Sequence, residues 1–354
     1  MASDDKRLVP AFELLVDGQK ADPELASSVI GIRCSDDMDR AARFQLHLSD
    51  VGRKWTKSDK FKPGTAIEIK LGYPGKLKTI CKAEVQTLEV VLTPDGPTRL
   101  LVAGFDKGQG FSKGTKTKTY KDVKDSDLAR QIAQRNGLSA DVDDTKVVHD
   151  YVIQSNLSDY DFLVQRASVA GFRFNVDGKK LSFKKPQIGQ SSAAKLVWRE
   201  NIGRFSMEVN TYDQVSRISS SGWDPDKMKN MTSPAKKGDE YGTQGGQVTG
   251  AQLVKKMFGE VESVVTVASG QQNLLEAVAK AEFNKRGGTF VAAEGRITGD
   301  PAVKAGTVIE VDKAGQRVNG QYYVTGSEHI FFADTGYATE FRAKRYAIKK
   351  QRSR

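Results

Sequence analysis

The chain has 354 residues, of which 38% are hydrophobic, and a formal net charge of +11 at pH 7. This length and composition predict a globular protein of two or three domains, each large enough to bury a core. No apolar run approaches the roughly 18–20 residues of a membrane-spanning helix, and residues 1–7 lack the apolar segment of a secretion signal. The positive charge favours acidic partners, although the lysines are spread along the whole chain.

Cysteine and histidine are too sparse to indicate a metal site. Cys34 and Cys81 lie in strand-like runs without metal-ligand spacing, so we predict buried thiols in a reducing compartment. The three histidines, His47, His149 and His329, are widely separated, which predicts no metal cluster. His329 stands in a strand-like run and is predicted to be a packed structural residue. No cofactor motif is present, so we predict no cofactor.

Residues 1–106 are predicted to form a first antiparallel β-barrel. Apolar and polar residues alternate with period two, as in Phe44-Gln45-Leu46-His47-Leu48 and Ile67-Glu68-Ile69. Turn sequences such as Asp17-Gly18 separate these runs. About 100 residues with this pattern are typical of a sandwich or barrel.

Residues 107–195 are predicted to contain a linker and a small mixed α/β domain. The segment 107–124 carries six lysines, and we interpret it as a solvated inter-domain loop, with a loop that binds phosphate or a partner as the alternative. A first helix is expected to be capped by Ser126 or Asp127 and to end at Gly137.

A second helix in the same region is expected to be capped by Ser158 and stopped by Gly171. The alternating segments around Asp177-Gly178 predict a β-hairpin over residues 172–183.

Residues 196–348 are predicted to form a second β-barrel. The expected features are a long strand over 205–219, an inserted surface loop over about 220–247, helices over 249–258 and 273–286, and, after the barrel, a basic tail over 349–354. Apolar positions on the helix 273–286 are predicted either to pack against a neighbouring barrel or to cover the barrel of their own chain.

Each of the two predicted barrels contains one copy of what we interpret as a repeated β-unit. Lys62-Pro63-Gly64-Thr65-Ala66-Ile67-Glu68-Ile69 aligns with Lys304-Ala305-Gly306-Thr307-Val308-Ile309-Glu310-Val311. Each copy is followed by two strand-like runs, 80–92 and 98–105 in the first and 321–332 and 339–347 in the second. A turn closed by glycine joins each pair of runs, at 94–96 and at 334–336. The same order and spacing predict the duplication of one β-domain.

Two groups of motifs in this chain resemble a known family. Gln154–Leu163 followed by Ala170–Phe174, together with the closing stretch Gly320–Val324, His329 and Gly336–Thr339, resembles the phage late control D family of baseplate hubs. The same pattern is similar to the N-terminal hub region of the valine-glycine repeat proteins of contractile injection systems. The resemblance covers the chain from the first β-domain to about Arg345.

This resemblance implies a mainly β fold, with two antiparallel barrels like those of tube proteins and a small mixed α/β domain. It implies a structural baseplate hub of a contractile tail or injection particle, a homotrimer that adapts a sixfold inner tube to a threefold spike. The implied partners are the inner tube protein, a spike protein and other baseplate proteins, and DNA or other cargo would pass through the lumen. Such a particle is assembled in the bacterial cytoplasm.

The chain ends at Arg354 without a spike-like repeat, so we expect the spike to be a separate chain. The motifs leave open whether the particle is a phage tail, a bacteriocin or an injection system. They assign no residue to the channel or to an interface.

No catalytic site is predicted. The chain has 44 acidic residues but no recognisable catalytic pair, no Gly-x-Ser-x-Gly elbow and no His-Glu-x-x-His motif. We therefore predict a non-enzymatic protein. The alternative is a baseplate-associated protein that binds or hydrolyses peptidoglycan, because residues 120–138 resemble the opening half of a lysin motif. Nucleic-acid binding is a third possibility, for which the lysines and arginines offer charge but no reading helix.

Overall fold

The computed structural model describes residues 9–38, 40–94 and 96–350 of the chain. Within these ranges the protein is mainly β, with mostly antiparallel strand pairs and few helices, which confirms the predicted fold class. Residues 1–8, Asp39, Asp95 and 351–354 lie outside the described part, and with them the predicted turn residue Asp95 and most of the predicted basic tail.

The first β-unit spans residues 11–105. Its strands alternate as the sequence predicts: Phe44, Leu46 and Leu48 are fully buried, and the side chains between them are partly exposed. Cys34 and Cys81 are both buried free thiols in its core. Its elements are β1 (Ala11–Val16), β2 (Gln19–Lys20), α1 (Pro23–Ser28), β3 (Val29–Asp37), β4 (Arg40–Ser49), β5 (Ala66–Gly72), β6 (Lys78–Val91) and β7 (Arg99–Phe105).

The α/β unit spans residues 108–184 and has its own core. Helices α3 and α4, given below, bury Leu128, Ile132, Phe162 and Leu163 against the neighbouring strands. Its elements are α2 (Gly108–Phe111), β8 (Lys116–Lys124), α3 (Asp125–Arg135), β9 (Ser139–Val142), β10 (Val148–Leu157), α4 (Asp159–Ala170), β11 (Arg173–Asp177) and β12 (Lys180–Lys184).

The second β-unit spans residues 194–348 and contains an insertion between its second and third strands. The strands of the unit are β13 (Ala194–Val197), β14 (Ile202–Val209), β19 (Val291–Thr298), β20 (Val308–Asp312), β21 (Gly320–Phe332), β22 (Gly336–Arg345) and β23 (Ala347–Ile348). The insertion contains β15 (Arg217–Asp224), β16 (Lys229–Lys236), β17 (Val248–Thr249), α5 (Gly250–Phe258), β18 (Glu262–Thr266) and α6 (Gln272–Gly287).

A single sheet joins the two β-units. Its strand order is β14-β19-β22-β21-β3-β4-β7-β6-β5-β1-β2, and β20 joins β21 and β13 beside this path. The pair β21–β3 is antiparallel and is the point at which the second unit meets the first. The two predicted barrels are therefore joined edge to edge within one sheet.

The prediction of a solvated loop over residues 107–124 is wrong in its second half. Residues 116–124 form strand β8, which pairs with β10. The buried Tyr120 and Val123 anchor the strand in the core of the α/β unit, while its lysines occupy partly or fully exposed positions. Asp122 has φ +50° between the two buried residues, so the strand lacks the regular alternation that reveals a strand in sequence.

The predicted surface loop over 220–247 is also wrong, as is the single long strand over 205–219. The chain turns after β14, and β15 and β16 form a hairpin that β18 extends to three strands. Helix α6 matches the predicted helix 273–286, but it packs on this three-stranded sheet and on α4 rather than on a barrel. Small residues of β15, Ser219-Ser220-Ser221-Gly222, hide the apolar alternation on which strand prediction depends.

Several predicted helix and hairpin boundaries are confirmed. Ser158 caps α4 by accepting a hydrogen bond from the Asp161 amide over 3.0 Å, and the helix ends before Gly171. The hairpin of β11 and β12 turns at Asp177-Gly178 as expected. Helix α3 instead begins at Asp125, so Ser126 and Asp127 lie inside its first turn and do not cap it.

The two copies of the duplicated β-unit agree at the level of individual hydrogen bonds. The glycine of each copy has a positive φ, +93° at Gly64 and +84° at Gly306. In both copies this glycine amide donates to a valine carbonyl. The amide of the same valine donates to the carbonyl of the threonine that follows the glycine. The paired bonds are Gly64 to Val85 (2.9 Å) and Gly306 to Val324 (2.8 Å), Val85 to Thr65 and Val324 to Thr307 (both 2.9 Å).

Bulges recur at matching positions of the two copies. The register slips after Val85 in β6 and after Val324 in β21. It slips again after Val29 in β3 and after Ile202 in β14. Because a bulge fixes which residues face each other, the structure makes β3-β4-β7-β6 and β14-β19-β22-β21 two copies of one four-stranded arrangement.

Candidate assembly interface

The joint between β3 and β21 is the most extensively built contact between the two β-units. Seven residue pairs lie opposite each other, from Gly326 and Asp37 to Phe332 and Gly31. Phe331 of the second unit packs into the core of the first, where its ring lies 5.3 Å from that of Phe12. The joint thus continues both the hydrogen-bond ladder and the hydrophobic core of the sheet.

His329 lies inside this joint, opposite Cys34, and is 1% exposed. Its Nδ1 is 2.7 Å from the Tyr337 hydroxyl and 3.2 Å from that of Thr339, so His329 is a packed, hydrogen-bonded residue as predicted. Burial, with a smaller effect from the positive charge of Lys304, lowers the pKa of His329 to about 3. The ring is therefore neutral at physiological pH.

Two ion pairs cross the joint on its other face. Arg33 Nη1 lies 3.4 Å from Glu328 Oε1, and Arg342 pairs with Asp37. Arg342 reaches Asp37 across β21 because Gly326 has no side chain there: a Cβ at that position would lie 3.0 Å from Arg342 Nη2. These pairs align the two strands in a single register.

A partly buried polar cluster fixes the α/β unit to the same joint. Asp36 Oδ2 accepts a hydrogen bond from the Ala305 amide over 3.2 Å, and Arg173 Nη2 donates to the Ala305 carbonyl over 2.9 Å. Burial raises the pKa of Asp36, although the charges of Arg173 and Lys304 favour its ionised form. Lys304 Nζ also donates to the Thr79 carbonyl over 2.7 Å, which ties the second unit to β6 of the first.

The outer ends of the paired four-stranded arrangements are unpaired in the described part of the chain. Beyond a single bridge of Ile202 to Trp198, β14 pairs with β19 alone, and the segment Thr87–Val91 of β6 pairs with β7 alone. Apolar side chains are exposed at both ends: Leu88 is 40% exposed, Val90 41% and Leu92 62%, and Val209 of β14 is 39% exposed. An edge strand with exposed apolar side chains is a template for pairing with another chain.

Because the four-stranded arrangement occurs twice, each open edge has a counterpart in the internal joint: β6 corresponds to β21, and β14 to β3. Counting from the matching bulges, Leu88, Val90 and Leu92 correspond to Ser327, His329 and Phe331, which are between 1% and 8% exposed. On the other side, Phe205, Met207 and Val209 correspond to Ile32, Cys34 and Asp36. The positions that are buried or partly buried in the joint are thus apolar at the open edges, where Leu88, Val90, Leu92 and Val209 are exposed and Phe205 and Met207 are partly exposed.

A second cluster of ionisable groups lies in the α/β unit. Asp125 is 2.9 Å from His149 Nε2 and accepts hydrogen bonds from Arg166. Burial would raise the pKa of Asp125, but these hydrogen bonds outweigh it and hold the pKa below its usual value. His149 and Arg166 also line a groove of about 1330 Å³ beside the three-stranded sheet. The three side chains thus provide hydrogen-bond partners for one another, as in a structural ion network.

Among residues 9–38, 40–94 and 96–350, no group of three or more His, Cys, Asp or Glu side chains is arranged to hold a metal ion. In the same described residues, no helix is long and apolar enough to cross a membrane. The sequence predicts no catalytic, cofactor or metal residue. The exposure of Leu88, Val90 and Leu92 is not apparent from the sequence, because their alternation is that of an ordinary buried strand.

Solved structures share this fold over nearly the whole chain. A tail protein from Neisseria meningitidis MC58 superposes with a TM-score of 0.69 at 14% identity, covering 95% of this chain and 97% of that one. The 43 kDa tail protein of prophage MuSo2 from Shewanella oneidensis gives 0.70 at 11% identity, with 96% and 100% covered. An E. coli protein described as a component of the type VI secretion system gives 0.60 at 12%, with 96% and 79% covered. At these identities the likeness concerns the fold.

The model of the Alg8 N-terminal domain family matches residues 6–332, and the chain belongs to this family. No curated protein matches the chain in sequence. The predicted likeness to phage tail and secretion-system proteins is confirmed at the level of the fold. The narrower resemblance to the late control D family stays a prediction.

Proposed function

We propose that this protein is a non-enzymatic baseplate hub of a contractile tail or injection particle, a homotrimer that adapts a sixfold inner tube to a threefold spike. The observation that carries the proposal is the correspondence between the internal joint and the two open edges. One chain contains two copies of a four-stranded arrangement, joined through β21 and β3. Repeating the same joint between chains would extend the sheet through β6 of one chain and β14 of the next.

The register of the proposed contact follows from the internal joint. Ser327 lies opposite Asp36, His329 opposite Cys34 and Phe331 opposite Ile32. Replacing each residue by its counterpart places Leu88 opposite Val209, Val90 opposite Met207 and Leu92 opposite Phe205. All three pairs are apolar, and the contact would remove four exposed and two partly exposed apolar side chains from water.

The polar residues of the internal joint are not repeated at the open edges. The counterpart of Arg33 is Ser206, and the counterpart of Asp37 is Asn210, so neither ion pair of the internal joint can form there. The contact within a chain and the contact between chains are therefore chemically distinct. This difference favours a fixed alternation of the two units around a ring, as a trimer of duplicated chains requires.

The division into domains belongs to the same proposal. Residues up to about 106 and from about 196 to 348 would be the two tube-like units, and residues 107–195 the small α/β domain between them. A sixfold tube protein, a spike protein and other baseplate proteins are the proposed partners, in a particle assembled in the bacterial cytoplasm.

The experiment is a cysteine cross-link at the proposed contact, combined with the mass of the particle in solution. The double variant Val90→Cys/Met207→Cys should form a disulfide between chains under mild oxidation and give covalent dimers and trimers on a non-reducing gel. The matched control Val264→Cys/Met257→Cys carries two exposed cysteines at positions away from both edges. Light scattering of the unmodified protein should give three times the chain mass.

A monomer at every concentration, together with no cross-link above the control, would contradict the proposal. A cross-linked species limited to dimers would contradict the trimer but retain the strand pairing.

A further inference from the structure

A ladder of ion pairs covers one face of the sheet that joins the two units. The face belongs to the neighbouring strands β14, β19, β22, β21 and β3, and it is the side turned away from the hydrophobic cores. We call it the ion-paired face. Its members are Arg204 with Glu294 (3.3 Å), Arg296 with Glu340 (3.1 Å), Arg33 with Glu328 (3.4 Å) and Arg342 with Asp37.

Three of the pairs join neighbouring strands, β14 to β19, β19 to β22 and β21 to β3, and the pair of Arg342 with Asp37 spans β21 to join β22 to β3. Arg296 lies directly opposite Glu340, and Glu340 directly opposite Glu328. Seven of the eight charged residues also line an open concavity of about 900 Å³, so the face is reachable by a large molecule. The four arginines and four carboxylates sum to zero, although the whole chain carries +11. The concavity is also lined by Arg40, Arg43, Asp36 and Asp161, so five arginines and six carboxylates surround it.

The cancellation of the arginine charges by the carboxylates determines which molecules the ion-paired face can bind. Neighbouring strands are separated by about 5 Å, well inside the Debye length of about 8 Å at physiological ionic strength. A phosphate chain passing over the face would therefore meet no net positive charge, and each of the four arginines of the ion-paired face is already paired with a carboxylate. Affinity for nucleic acid comes mainly from lysine and arginine side chains that are free to neutralise phosphates.

We propose that the carboxylates of the ion-paired face prevent its arginines from binding nucleic acid and other polyanions. The face then suits a passing cargo of mixed charge, such as a polypeptide, and the positive charge of the chain serves contacts elsewhere. This inference rests on the proposed function in one respect, namely that the ion-paired face lines the channel of the particle. It bears on the possibility of nucleic-acid binding that the lysines and arginines of the sequence raise, since the lysine-rich strand β8 lies in the α/β unit and not on this face.

The test is the binding of a fluorescent 30-nucleotide single-stranded DNA, measured by anisotropy between 50 and 300 mM salt. The triple variant Glu294→Gln/Glu328→Gln/Glu340→Gln frees three arginines. We expect it to bind at least tenfold more tightly than the unmodified protein at 50 mM salt. The slope of the logarithm of the binding constant against the logarithm of the salt concentration should be steeper by about 2.

A matched triple variant separates the face from net charge. Asp141→Asn/Glu276→Gln/Asp312→Asn also removes three carboxylates that are ion-paired with lysines, but on other surfaces. We expect it to gain less than about threefold in affinity. An equal gain in both triple variants would overturn the proposal.

A second variant keeps the test decisive if a triple variant does not fold. Arg296→Ala/Arg342→Ala should leave the DNA binding of the otherwise unmodified protein unchanged, because those arginines are occupied by carboxylates. A clear loss of binding would show that the face already holds DNA and would overturn the proposal. The binding assay reports on the face in a monomer or a trimer, whereas light scattering reports on assembly, so failure of the two proposals is distinguishable.

Discussion

The guanidinium of Arg173 donates to the carbonyl of Ala305 over 2.9 Å and fills the space in which a Cβ of Gly306 would lie. The equivalent turn of the first copy has no such neighbour: nothing lies within 4 Å of the Cβ position of Gly64. The two copies thus share a backbone conformation but differ in what is packed against it. The difference arises because the α/β unit docks on the second copy of the turn and not on the first.

This pair of glycines offers an internally controlled prediction. Gly64→Ala should cost about 1–2 kcal/mol, the usual penalty for a side chain in a left-handed conformation. Gly306→Ala should cost that amount and about 1–2 kcal/mol more, because Arg173 must give up its place and its hydrogen bond. Urea unfolding of both variants measures the difference. Equal losses would show that Arg173 adapts without cost.

The stability of the joint should fall as the solution becomes acidic, because of His329. Its pKa is about 3 in the folded protein, below the ordinary value of 6.5. A group with a depressed folded pKa contributes stability above the unfolded value, and that contribution is lost as pH falls toward the folded one. Lowering the pH from 7 to 5 should therefore cost about 2 kcal/mol of unfolding free energy from this residue.

The variant His329→Asn should lose this dependence between pH 7 and pH 5, while keeping a hydrogen-bonding atom near Tyr337. The control His47→Asn changes a partly exposed histidine on the other face of the sheet and should remove a smaller part of the dependence. Denaturant unfolding at the two pH values measures both. An unchanged slope in His329→Asn would show that the acid sensitivity resides elsewhere.

The elements of each unit were largely predictable from sequence, whereas the joint between units was not. Strands such as β4 alternate residue by residue, and the capping Ser158 and the hairpin turn at Asp177-Gly178 act over a few positions. The pairing of β3 with β21 links residues about 300 positions apart, and nothing local specifies a partner so distant. The apolar alternation of Leu88 and Val90 is the same whether a strand is buried or forms an open edge.

Asp159 should be the most important carboxylate of the α/β unit. It is 3% exposed and accepts hydrogen bonds from Lys116 (2.7 Å), Gln154 (3.0 Å) and Arg135. Burial acts to raise its pKa, but these hydrogen bonds and the charge of Arg135 prevail and lower the pKa to about 2. The corresponding stability is present above about pH 4 and is lost as the pH falls toward 2.

Asp159→Asn should cost about 2–3 kcal/mol at pH 7, because it removes the charge-assisted hydrogen bonds that the partly exposed Lys116 and Arg135 make to a buried carboxylate. Asp144→Asn removes an exposed carboxylate that pairs with Lys124 and should cost less than about 1 kcal/mol. Thermal or urea unfolding at pH 7 compares the two. Similar small losses would mean that water replaces the Asp159 carboxylate with little penalty.

Assembly should be blocked by a charge at the open edge of β6. Val90 is 41% exposed in the single chain, so Val90→Lys should change the unfolding free energy of the isolated chain by no more than about 0.5 kcal/mol. In the proposed contact the same position lies opposite Met207 and is buried, and an unpaired lysine there would be strongly unfavourable. Light scattering should therefore give the mass of one chain for Val90→Lys.

The control variant Val264→Lys, at an exposed position of β18, should retain the trimer mass. Trimers of Val90→Lys that persist at low protein concentration would place the contact between chains somewhere other than this edge.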